Sequence, residues 1–330
     1  MQQSTLKKLS EVLGISISTV SRALKDHPDI SVATKIRVKE LAKTMEYEPN
    51  AYAVQLRTRQ SNVLGILIPS IRNYFYDSFI AAVEEDARAQ GYSVLIMQSG
   101  DDAAIEADRL YIFRTNRVMG LFVAVTIQTE DLSPFKKMEE MDIPLVFIDR
   151  VPDETGYYKV SMADEEAATL AAAAIIEKKK TNVLALFGHP HLNLTKKREK
   201  AFVNTFQIKA PQTIITIHYP EDPITSRELA ITLLNTKQPP DVIFCMGDLI
   251  LIGVMKAIHE LNLKVPDDIA VIGISNGFIP TMYNPVITYV ETSGYKLGKL
   301  AFKQMLGRLK NEPVIENVCV PSSLVKGGSL

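Results

Sequence analysis

The chain has little of what membrane, secreted or metal-scaffolded proteins rely on. Only two of its 330 residues are cysteine, Cys245 and Cys319, too few for a disulfide framework or a four-thiolate metal site. No apolar run reaches the roughly eighteen residues a membrane span needs. The N-terminal MQQSTLKKLSEVLG lacks the apolar stretch of a signal peptide. A cytoplasmic protein with no membrane association is expected. Strong net charge is missing too, at −1 overall. Catalytic motifs are equally scarce. No G-x-x-x-x-G-K-[ST] occurs, no G-x-G-x-x-G follows the first apolar strand, and there is no G-x-S-x-G elbow. His189 and His191 sit in Gly188-His189-Pro190-His191 with no carboxylate near them in sequence, which reads as a solvated loop. Neither an enzyme nor a metal or other cofactor is expected.

What is present is ordinary globular material, 46% hydrophobic and 23% charged, in a length suited to two or three compact units. Its charge is unevenly spread. Residues 1–60 hold ten Lys/Arg against six Asp/Glu, and the remaining 270 hold 27 against 32. A basic head on a mildly acidic body suggests that only the head meets a polyanion.

The head reads as three short helices. Thr5 can cap Leu6–Leu13, whose Leu6, Leu9 and Leu13 share a face. Gly14 follows as a residue able to take positive φ. Ser16 then caps Ile17–Leu24, with Val20 and Leu24 inward. A third helix from Ser31 or Val32 to about Met45 buries Ile36, Leu41 and Val38 or Ala42. Two helices joined by a three-residue turn containing glycine make a helix-turn-helix pattern, although inert helical bundles share it. In a DNA-reading module the start of the second helix reaches base edges. Here that means Ile17, Ser18 and Arg22: Arg can grip guanine with two hydrogen bonds and Ile can pack on a thymine methyl. Ser16, Thr19, Ser21, Ser31 and Thr34 are short hydroxyls suited to phosphate oxygens. With the caps Thr5 and Asn50 they complete the candidate DNA-contacting set. After Tyr47-Glu48-Pro49, Asn50 can start a stretch to Arg57 too short to hold as an isolated helix. Its Leu56 suits a minor-groove wedge, or a seal between head and body.

From residue 62 short apolar strands alternate with amphipathic helices, restarting after a break near 153–160. Such alternation implies parallel sheets covered by helices on both faces. The expected fold is thus an all-α helix-turn-helix head on an α/β body of two doubly wound parallel-sheet subdomains. Ligands of such sheets lie beyond the carboxyl ends of the strands, which here means a cleft between the halves. Residues at those ends, Phe75, Tyr76, Asp149, Arg198, Tyr219 and Asp248 among them, offer stacking faces, donors and acceptors for a small polar ligand.

The runs Thr5–Ser10 and Gly14–Leu24, then Tyr47-x-Pro49-Asn50 and Ala53-x-x-Leu56-Arg57, resemble the head of the lactose/galactose repressor family. The body resembles that family's effector domain, itself similar to periplasmic sugar-binding proteins. The resemblance implies a homodimeric transcription regulator on a pseudo-palindromic operator, most often a repressor, with Leu56 wedged into the operator's centre. It implies a carbohydrate-like effector held by Phe75, Tyr76, Asp149, Arg198, Asp248, Ser275 and Asn276, acting as inducer or corepressor. Without an added leucine-heptad tail, a dimer rather than a tetramer is expected. Two departures stand out: Glu46 occupies a position usually held by Gly, and Ser275 one where sugar-responsive members often carry Asp. Asn276 then offers a neutral donor and acceptor. The expected domains are 1–48 (head), 49–61 (hinge), 62–159 with 291–321, and 160–290 with 322–330. The rival readings are a solute-binding protein, which a basic head contradicts, and an enzyme carrying a regulatory head.

Overall fold

In the computed structural model, residues 5–47 and 61–330 are described. Two compact units divide at Ser61 and Asn62.

In the head, α1 (Leu6–Leu13), α2 (Ile17–Leu24) and α3 (Val32–Thr44) each begin at a hydroxyl cap. Thr5 accepts from the Lys8 amide, Ser16 from Thr19 and Ser31 from Thr34, satisfying donors that a helix start leaves unpaired. Gly14 takes φ 67° and closes α1. Leu9, Val20, Ala23, Val38 and Ala42 form the core, with Leu6, Leu13, Leu24, Leu41 and Met45 packed around it. Ile36, expected inside, is 52% exposed. It lies two residues from Val38, about 200° around the helix and so on its far side. Glu46 takes φ 49°, the conformation its glycine-like position implies, at roughly 1 kcal/mol for a side chain there.

The body holds two six-stranded sheets. The first lobe is built from β1 (Val63–Ile68), α4 (Tyr74–Ala89), β2 (Ser93–Gln98), α5 (Ala103–Thr115), β3 (Gly120–Val123), α6 (Ser133–Glu139), β4 (Leu145–Ile148) and β5 (Lys159–Met162). The second contains α7 (Asp164–Glu177), β6 (Asn182–Leu186), α8 (Asn193–Lys209), β7 (Ile214–His218), α9 (Pro223–Leu234), β8 (Val242–Cys245), α10 (Asp248–Glu260), β9 (Ala270–Ser275) and β10 (Thr288–Glu291). The chain then returns to the first lobe for α11 (Gly294–Leu309) and β11 (Asn317–Val320), and ends on β12 (Ser323–Val325) in the second.

Strand order is β11-β5-β4-β3-β1-β2 in the first sheet and β12-β10-β9-β8-β6-β7 in the second. Central strands such as LVFI and VIFC are wholly buried, as parallel strands covered on both faces must be. The edge strands β2 and β7 are partly open. All pairs are parallel except β10 with β12, which departs from the wholly parallel expectation. The boundary expected between 159 and 160 is also corrected. It would cut β5, which pairs with β4 and β11 in the first sheet, so the crossing follows Met162. The other crossings fall between β10 and α11 and between β11 and β12. Among the described residues no helix is long and apolar enough to cross a membrane.

α11 lies against α4 with almost no space between their backbones. A Cβ built on Gly298 would stand 2.7 Å from both the Ala82 Cβ and the Phe79 carbonyl oxygen, and one on Gly294 2.0 Å from the Phe75 carbonyl oxygen. These glycines set the height of α4, whose first turn carries cleft residues. Gly298→Ala is expected to cost about 1–3 kcal/mol by overpacking. Urea unfolding checks this, and an unchanged midpoint contradicts it.

Candidate functional site

On the head, Ile17 is 46% exposed, and Ser16, Ser18 and Arg22 are exposed beside it at the start and outer face of α2. The Ser16 hydroxyl is 2.7 Å from that of Ser18 and 2.8 Å from that of Thr19. Ser31 and Thr34 pair likewise at 2.9 Å at the start of α3, and exposed Thr5 opens α1. Ser21 is partly buried on α2. Hydroxyls at helix N-termini, where amides and the dipole favour negative charge, suit phosphate oxygens. Asn50 and Leu56 lie outside the described residues.

In the body, a cavity of about 260 Å³ opens between the lobes, just below the range of ordinary ligand pockets (~300–1,000 Å³). A second space of about 320 Å³ adjoins it, sharing Ile127, Arg150, Leu192 and Leu194. Seven residues expected in the cleft line the first cavity: Phe75, Tyr76, Asp149, Arg198, Asp248, Ser275 and Asn276. Tyr219 does not. It follows the edge strand β7, is 38% exposed, and donates its hydroxyl to Glu199 at 2.8 Å, so it is removed from the set.

From the first lobe, the buried Tyr76 hydroxyl donates to Asp149 at 2.7 Å. Desolvation pushes both groups above their ordinary values, the tyrosine further. Asp149 takes φ 56° at the end of β4 and Asp101 φ 61° after β2, a region that Asp tolerates better than most side chains. Arg150 donates to Asp101.

From the second lobe, Ser275 donates to Asp248, and the Asn276 amide reaches the same carboxylate at 3.4 Å. Desolvation raises Asp248 above the usual aspartate range. A carboxylate therefore does stand at Ser275, delivered by the start of α10 rather than by β9.

Arg198 is held within the second lobe. Its Nε and Nη2 both lie 2.8 Å from Asp164 Oδ1, and Nη1 donates to the Met246 carbonyl at 3.3 Å. Both side chains are 8% exposed. The guanidinium is thus fixed in orientation and its charge is matched before any ligand arrives.

Asn276 differs from the neutral ligand contact expected of it. Its Oδ1 accepts from Ser78 Oγ and from the Gly294 amide, both at 3.2 Å, and its Nδ2 donates to the Tyr74 carbonyl at 3.1 Å. All three partners belong to the first lobe, so the side chain spans the lobes. Tyr74 packs across the same junction on Phe278, with ring centroids 5.3 Å apart. At the other end of the cleft Asn193 donates to Asp153, again between lobes.

Sequence reasoning passed over Asp101, Asp164 and Glu221, noted Arg150 at a strand end without carrying it into the site set, and read His189 as part of a solvated loop. Asp101 was open to the strand-end rule applied to the other cleft residues. His189 lines the cavity with Glu221 3.7 Å away, so a carboxylate does stand near it, supplied by a remote loop beyond the reach of sequence spacing. Nothing local marked Asp164 as the partner of Arg198.

A helical head whose second helix exposes Ile17, Ser18 and Arg22, together with a separate unit split by a cleft, defines the class of ligand-linked DNA-binding regulators. Residues 5–50 match the bacterial regulatory proteins of the lacI family, and residues 172–330 match a periplasmic binding protein-like domain. The chain thus carries a segment similar to the lacI-family regulatory domain, followed by one similar to a periplasmic binding protein-like domain. The HTH-type transcriptional repressor PurR of Vibrio atlanticus (strain LGP32) is 26% identical over 312 residues, covering 94% of this chain and 93% of that protein. The ribose operon repressor of Halalkalibacterium halodurans is 26% identical over 314 residues, covering 94% and 92%. The structure of a lac repressor dimer bound to operator and the anti-inducer ONPF superposes with a TM-score of 0.88 at 23% identity, covering 99% of each chain. A LacI-family transcriptional regulator from Silicibacter pomeroyi gives 0.82 at 22%, also covering 99% of each.

Removing one member of a buried ion pair strands the other. Arg198→Ala is therefore expected to lower unfolding free energy by about 3–5 kcal/mol, with the joint change Arg198→Met and Asp164→Leu recovering most of it. Urea unfolding of the three chains decides; equal losses in the single and joint variants contradict it.

Proposed function

We propose that this chain is a transcriptional repressor that binds a pseudo-palindromic operator as a homodimer in the cytoplasm. Its operator affinity is set by a small polar metabolite in the interlobe cleft. The observation that carries this reading is the pairing of two features in one chain. Ile17 and Ser18 are exposed at the start of α2 and Arg22 in its last turn, and a cavity is walled by side chains of both lobes. A two-fold dimer would set two α2 helices in successive major grooves. The hydroxyls of Thr5, Ser16, Thr19, Ser21, Ser31 and Thr34 would hold phosphates. Asn50 and Leu56 would serve the hinge, the leucine as wedge.

The relatives' names support repression as the output, and the cleft supports control by ligand. A metabolite that binds one lobe arrangement better than another shifts operator affinity by that difference, typically 1–3 kcal/mol. The cleft groups hold and orient this ligand and return it unchanged.

Arg22→Ala is expected to weaken binding to the preferred duplex by about 1–3 kcal/mol and to relax preference at one base position per half-site. Duplex selection from a random pool, followed by binding titration of both chains, measures this. Uniform weakening on all sequences would make Arg22 a phosphate contact instead.

A further inference from the structure

We infer that the cleft selects a ligand bearing a protonated amine, such as an amino sugar or amino alcohol. The inference rests on the ligand-controlled reading above and names the ligand's class. It begins from the sign of the charge around the cavity. Asp101, Asp149, Glu221 and Asp248 line it, against the guanidiniums of Arg150 and Arg198. Both guanidiniums are already engaged, Arg150 with Asp101 and Arg198 with Asp164 behind the wall. No unpaired cation remains among these groups to receive a phosphate or carboxylate.

Asp149 and Asp248 stand in the opposite condition. They come from different lobes, and among the described residues neither lies within ion-pair distance of a cation. Their hydrogen bonds come from neutral donors only, Tyr76 for Asp149 and Ser275 with the Asn276 amide for Asp248; Arg150 and Arg198 act on Asp149 through space without pairing with it, and among the described residues no cation acts so on Asp248. Water in the open cavity can solvate them. A ligand that displaces this water leaves two carboxylates to be compensated by its own donors. A hydroxyl gives each one neutral hydrogen bond. An ammonium gives a shorter, charge-assisted one, and placed between the two carboxylates it draws the lobes toward each other. A phosphorylated or carboxylated metabolite adds like charge instead. The cavity volume of about 260 Å³ suits a molecule of monosaccharide size or smaller.

The test uses the full chain and matched probes sharing one skeleton. D-glucosamine, D-glucose and D-glucuronate form one set, the corresponding galactose compounds a second, and ethanolamine with ethylene glycol a third. Thermal shift identifies binders and titration calorimetry at low ionic strength ranks them. The expected result is an amine that binds about tenfold more tightly than its neutral counterpart, with no response to the anionic member. Asp248→Asn should shrink that preference several-fold, the amine losing more affinity than its neutral counterpart. A neutral probe equal to its amine, an anionic probe preferred over both, or no response to any amine overturns the inference. Operator binding by the same preparation is scored separately. A sequence-selective complex alongside failed amines removes the amine and leaves the regulator reading standing; absence of such a complex removes that reading.

Discussion

The side chain of Asn276 is a point through which the body's two halves hold each other. Its amide makes three hydrogen bonds, and every partner lies on the other lobe: Ser78 and Tyr74 on α4, and Gly294 at the start of α11. An amide with both ends engaged resists being pulled from either side, because each freed group in this half-buried position carries a desolvation cost. The same helix α4 supplies Phe75 to the cavity and Tyr76 to Asp149. The backbone amide of Asn276 meanwhile reaches Asp248. A ligand drawing on Asp149 and Asp248 therefore acts on groups one or two residues from the hydrogen bonds that fix the lobes' relation.

Electrostatics divides the labour along the chain. The excess of Lys and Arg in residues 1–60 favours a polyanion, while the cleft collects carboxylates and pairs off its two arginines. In the cleft, burial raises Asp149 and Asp248 above the ordinary aspartate range, a sign that the ionised forms lack full compensation. Asp164 is raised as well, although Arg198 sits on it. Burial outweighs the arginine's pull, so this pair contributes more to orienting the guanidinium than to net stability.

How far the sequence could be read follows from where each signal lived. Strands such as VLGILI, LVFI and VIFC are continuous apolar runs, and their burial on both faces in a parallel sheet leaves little choice of assignment. The chain from 159 to 162 reads KVSM, and those from 317 and 323 read NVCV and SLV. These segments are short and mixed in polarity, and become strands only through their sheet partners, Asn317 pairing with Lys159 and Val325 with Tyr289, so the first boundary was misplaced. Head caps were legible because a hydroxyl three residues before its amide is a local pattern. Cleft residues were legible as polar positions after apolar strands. That rule names candidates without telling the central strands from the edge, which is how Tyr219 entered the set. It also cannot show that Asn276 is consumed by the other lobe, or that Asp248 supplies a carboxylate at Ser275.

The central claim, that the relation between the lobes governs DNA binding, is open to a measurement needing no ligand. A duplex is selected from a random pool with the full chain, and its affinity is compared for that chain and Asn276→Ala at one salt concentration. The account predicts a symmetric site and a change in affinity of about fivefold or more, although Asn276 belongs to the body and not to the DNA-reading head. An asymmetric or absent site, or equal affinity for two folded chains, would contradict it.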